Sequence, residues 1–119
     1  MKFLMMIKHA EGATGLEHPQ GLYEAMGKFV EDSFKSGILK DTAGLKRTEH
    51  GYRIRSNAGK LTGTDGPFTE SKEVVGGYAV VETATKEQAD AAAQQFMELH
   101  RIHLPDFECE CEVRPLEES

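Results

Sequence analysis

The sequence is short of the features that mark several large functional classes. Basic residues are outnumbered, 14 Lys and Arg against 20 Asp and Glu, for a net charge of −6. That balance argues against nucleic acid or an anionic membrane surface as a partner, because both require a basic face. No basic, aromatic-interleaved stretch of the kind that binds RNA is present. Long apolar runs are also missing. The longest near the N-terminus, Phe3 to Ile7, is far too short to span a membrane and lacks the length and cleavage site of a signal peptide. The chain has only two cysteines, Cys109 and Cys111, two positions apart, where strand side chains diverge poorly for a bridge. A reduced, cytoplasmic protein is the expectation. Gly-rich phosphate loops are absent too, since neither "GTDG" nor "VVGGY" has the strand–glycine–helix setting of a nucleotide site. No serine or cysteine sits in a nucleophile elbow. Cofactors are therefore not expected.

What remains is 119 residues, enough for one domain that buries roughly two-thirds of its unfolded surface without disulfides or metal. "KFLMMIK" (residues 2–8) is apolar on both parities and predicts a strand buried on both faces. Residues 9–18 predict a loop, and Pro19 suits the first turn of a helix. Leu22, Met26, Phe29, Val30 and Phe34 follow at helical spacing, with Gly37 where a left-handed C-terminal cap belongs. Ile38 to about Lys46 predicts an irregular strand. Tyr52–Ser56 and Lys60–Thr64 flank "NAG" and predict a hairpin with a three-residue turn. Val74 to Glu82 predicts another strand.

Thr85 with Gln88 predicts a capping box, and Ala89, Ala92, Ala93, Phe96 and Leu99/His100 form the stripe of a second helix stopped by Pro105. The last strand alternates, with Phe107, Cys109, Cys111 and Val113 on one face and Glu108, Glu110, Glu112 and Arg114 on the other.

Without the hairpin the order is βαββαβ, a ferredoxin-like α+β fold with the first and third strands central. Helices cover one face of such a sheet. The apolar residues on the other face predict a second copy of the chain packed sheet to sheet, a homodimer.

"TDGPFTESKEVVGGYAVVE" resembles the DGPF motif of the YCII-related, or DGPF-domain, family. "CEVRPLEE" is similar to that family's closing stretch and "KFLMMIK" to its opening strand, so the resemblance spans nearly all of residues 1–119 as a single domain. It implies a dimeric α+β barrel of two ferredoxin-like subunits. Some members resemble dehalogenating or ring-modifying enzymes, and others lie beside genes for extracytoplasmic-function sigma factors. The resemblance also implies a His–Asp pair near the first helix, but Leu22 to Phe34 holds no histidine to carry it.

Asp65 either accepts backbone N–H groups in an Asx turn before Gly66-Pro67 or presents its carboxylate as a general base at a cleft mouth. His9, just past the first strand, is either an exposed loop residue or, paired with Asp65, a proton shuttle. His18 and His50 are assigned no role. Glu70, Lys72 and Glu73 are either solvated loop charges or site residues, Lys72 pairing with Asp65 or an anionic substrate and Glu73 lining the pocket. Arg114 would steady developing negative charge or merely discourage edge pairing with its neighbouring carboxylates. His100, His103, Cys109 and Cys111 form H-x2-H-x5-C-x-C, but the Cys-x-Cys spacing disfavours zinc and no metal is expected.

Two functions follow. One is a cofactor-independent acid–base enzyme on a small molecule, of elimination or isomerisation type, using a cleft between the sheet, the first helix and the Asp65–Glu73 loop, with Asp65 and His9 moving the proton and Lys72, Glu73 and Arg114 binding substrate. The other is a non-catalytic ligand-binding or sigma-factor-associated module. A third, plainer possibility makes the DGPF loop only a structural corner.

Overall fold

A computed structural model describes residues 1–11 and 19–118. The elements run β1 (Lys2–His9), α1 (Gln20–Lys35), β2 (Leu39–Gly44), β3 (Tyr52–Asn57), β4 (Lys60–Asp65), β5 (Val74–Glu82), α2 (Lys86–His103) and β6 (Cys109–Pro115). Four strands form an antiparallel sheet in the order β2-β5-β1-β6, and β3 pairs only with β4. This is the ferredoxin-like arrangement with an inserted hairpin, and the two strands apolar on both faces, β1 and β5, are the central ones. Among the described residues, no helix is long and apolar enough to cross a membrane.

Opposite residues of paired strands share a face, so the register sorts the side chains. Phe3 and Met5 of β1, Val81 of β5 and Leu39 of β2 form the core with Ala89 and Ala93 of α2. The alanines let α2 lie close to the sheet, with Ala89 almost wholly buried. Cys111 and Val113 of β6 pack against the same core, as the alternation predicts. The opposite face carries Leu4, Met6, Tyr78 and Val80, all only half-buried. Lys8 lies there too, bridged to Glu112 at 2.9 Å and Glu110 at 3.7 Å. That hydrogen bond to Glu112 holds the Lys8 ammonium above its ordinary range. The acidic side of β6 thus belongs to the helix-free face, on an edge strand.

Local signals explain the element ends. The Thr85 hydroxyl accepts from Gln88 N–H, and the Gln88 side chain accepts in return from Thr85 N–H, the capping box in full. Gly37 follows α1 with φ +83°, where glycine carries no penalty. Pro19 stands at the N-cap, one place before the first helical residue.

The hairpin differs from expectation. Asn57 pairs with Lys60, which leaves a two-residue turn, and both Ala58 (φ 52°) and Gly59 (φ 76°) are left-handed. Right-handed strand twist favours such a type I′ turn over the three-residue alternative. Ala58 holds a conformation that costs a side-chain-bearing residue about 1 kcal/mol. Ala58→Gly is expected to recover about 0.5 kcal/mol or more despite the entropy it adds to the unfolded chain, as a rise in the urea midpoint at unchanged slope. A fall in the midpoint would contradict this.

Candidate functional site

The "GTDGPFTESKEVVGGY" stretch does two separate jobs, and the first is a corner. Gly66 ends the hairpin against the short 3-10 turn Thr48–His50, its N–H donating to the Gly51 carbonyl at 2.9 Å. A Cβ on Gly66 would lie 1.7 Å from the Thr48 carbonyl oxygen, so no other residue fits. The Thr48 hydroxyl accepts from Phe68 N–H at 3.0 Å and donates to a Glu11 carboxylate oxygen, while Thr48 N–H donates to the other oxygen at 2.8 Å. The Arg53 guanidinium stacks 3.9 Å from the Phe68 ring centroid and bridges Glu70. Three segments distant in sequence are thereby laced around one threonine.

The hydrogen bonds from Thr48 hold the Glu11 carboxyl below the usual glutamate range. A depressed folded-state pKa means that this support is complete above the unfolded value, near 4.3, and is lost as pH falls through the folded one. In an NMR titration from about pH 6 downward, the Thr48 amide should therefore move with a midpoint below that of a free glutamate. A midpoint at or above the free value would exclude the latch.

The second job is a cavity. About 410 Å³ of space lies between the helix-covered face of the sheet and the helices. Met5, Ile7 and Ala79 form its floor, with Met26, Phe29 and Phe96 on the helix side. His9 and Arg47 provide its polar end. Two glycines of β5, Gly76 and Gly77, also line it. Register slips between Ile7 and Lys8, leaving Gly76 as the extra residue of a bulge. The His9 ring lies over that glycine: a Cβ on Gly76 would sit 2.5 Å from His9 Nε2. Gly77 lies close to the Ala43 carbonyl oxygen, which a Cβ would approach to 3.2 Å. His9 also packs on Phe107, with ring centroids 5.3 Å apart, and its Nδ1 donates to the Ala10 carbonyl at 3.0 Å. Nε2 is then the nitrogen of the neutral ring left to accept a proton.

The remaining candidates lie elsewhere. Asp65 is exposed at the end of β4, opposite Tyr52, and does not line the cavity. Lys72 and Glu73 are exposed in the segment before β5, where Glu73 adds to the negative field on Lys8. Arg114 is exposed on β6, its Nε 3.9 Å from Glu112. The structure therefore brings His9 together with Arg47, and none of Asp65, Lys72, Glu73 and Arg114 joins them in the cavity wall. His18 lies outside the described residues. His100 is buried, its Nδ1 donating to the Phe96 carbonyl at 3.1 Å. Burial pushes both cysteine thiols up, which disfavours the nucleophilic thiolate at neutral pH. Among the described residues, no three His, Cys, Asp or Glu side chains converge as a metal site would require.

Arg47, Glu11 and Thr48 carry no motif and stand in polar loops, so sequence patterning had no means of selecting them. Gly76 was visible in "VVGGY", but only the bulge explains it.

A ferredoxin-like sheet with an apolar cavity under its helices and a histidine in the wall defines a small α+β domain with a small-molecule-sized pocket. The model of the YCII-related domain matches residues 1–98, and the chain belongs to that family. No curated protein matches it.

Proposed function

We propose that the chain is a cofactor-independent acid–base catalyst on a small molecule, with the cavity as the substrate site and His9 as the proton carrier. The observation that carries this reading is the His9 ring, seated over Gly76 in a largely apolar wall with Nδ1 committed to a backbone carbonyl. A histidine in the wall of a ligand-sized space, with one ring nitrogen held by a backbone carbonyl and the other left to accept a proton, supports the choice of general base. The cavity volume falls within the range of small-molecule sites. Proton abstraction followed by elimination or isomerisation needs little more than such a base and a cation for the developing charge. Asp65 belongs to the corner in this reading.

The test is a substrate screen by NMR with wild type and His9→Gln. A turnover lost in His9→Gln, with ligand still perturbing the amides of Gly76 and Gly77, supports the assignment. Turnover that survives the substitution overturns it. Ligand binding at those amides with no turnover at all would favour the binding module.

A homodimer is part of the same proposal. Leu4, Met6, Tyr78 and Val80 on the helix-free face, and Tyr52, Ile54 and Leu61 on one face of the hairpin, are apolar surface that a second copy would cover. Sedimentation at micromolar concentration should return twice the chain mass, and a monomer would refute it.

A further inference from the structure

We propose that the cavity selects organic anions, compounds with an apolar ring-sized body and one carboxylate, and that Arg47 is the residue that holds the carboxylate. The inference deepens the small-molecule reading above and rests on it. Among the described residues that line the cavity, Arg47 is the one cation with a permanent charge, and no Asp or Glu shares the wall with it. Everything else, apart from His9 and a few small polar groups, is aliphatic, aromatic or backbone. An apolar enclosure with a single guanidinium at one end is complementary to a molecule of matching polarity: a greasy body and one anionic head.

The two carboxylates near Arg47 do not saturate it. Glu49 approaches Nε only to 3.8 Å, with both side chains about half exposed, an arrangement that contributes little and is easily exchanged. Glu11 feels the charge of Arg47 and of His9, but both its oxygens accept from Thr48. Its negative charge is thus tied to the corner, and the guanidinium fork stays open to a planar carboxylate. The overall charge of −6 makes this selection a local property, one that the whole-chain balance would not suggest. A carboxylate seated on Arg47 also fixes the register of the substrate body along the cavity, so that one carbon is presented to His9 rather than several.

The test uses two matched probes, 2-naphthoate and its neutral amide, 2-naphthamide, titrated into the full chain and followed at the amides of Ala43, Gly76 and Gly77. The expected result is that naphthoate binds roughly 5- to 20-fold more tightly than naphthamide at low salt, with the preference shrinking as ionic strength rises. In Arg47→Gln the preference for naphthoate over naphthamide should vanish, and Arg47→Lys should restore part of it. Equal affinity of the two probes in the wild type, or a preference that persists in Arg47→Gln, overturns the anion inference while the cavity remains a small-molecule site. Shifts for neither probe at those amides overturn both.

Discussion

Gly66→Ala is expected to destabilise the protein by about 3 kcal/mol or more, read as a fall of roughly 10 °C in Tm. The new methyl would lie 1.7 Å from the Thr48 carbonyl oxygen and 2.6 Å from its carbon, both backbone atoms with no rotamer to retreat into. Relief requires either the hairpin or the 3-10 turn to move. Moving Thr48 endangers the bonds from its hydroxyl and amide to Glu11 and from Phe68 N–H to its hydroxyl, each contributing about 1 kcal/mol. Moving the hairpin breaks the Gly66–Gly51 bond instead. Gly63→Ala is the control, because a Cβ there meets nothing closer than 4.0 Å, and it should leave Tm unchanged or slightly raised. A Gly66→Ala protein that melts within about 2 °C of wild type would show that the corner yields.

That contrast bears on how the sequence is read. The DGPF stretch invites attention to its charged members, yet its structural weight falls on a glycine and on the amide of Phe68. A sequence displays side chains, whereas corners are built from backbone approach and backbone donors. Elements set by periodicity were legible: the double-faced β1 and β5, the alternating β6, the capping box of α2, and from these the strand order. The polar end of the cavity was not, because it draws His9 from the end of β1 and Arg47 from the segment after β2, with Glu11 nearby, and no pattern in the sequence links those segments. The hydrogen bonds from Thr48 to Glu11 span 37 residues between two irregular segments, where no period exists to report a contact. The turn at Ala58 was missed for a different reason. Sheet twist, a property of the paired strands, outweighs the reluctance of alanine to take positive φ.

Gly76→Ala should separate function from stability where Gly66→Ala cannot. Here the methyl meets a side chain, 2.5 Å from His9 Nε2 and 2.8 Å from its Cδ2, and an imidazole can swing away. The stability cost is therefore modest, about 1 kcal/mol. The functional cost is the whole contribution of His9, since the ring leaves the cavity wall and its contact with Phe107. The cross-relaxation between the His9 and Phe107 rings that their 5.3 Å spacing permits in the wild type should disappear in the variant. With His9 acting as general base, turnover should fall by ~10²-fold or more, as far as in His9→Gln, because both changes remove the same group from the same place. The double variant should be no worse than either single one, the non-additivity expected of two residues acting through one side chain. If Gly76→Ala keeps full turnover while His9→Gln loses it, the imidazole works from some other position, and the bulge that makes room for it is architecture without catalytic purpose.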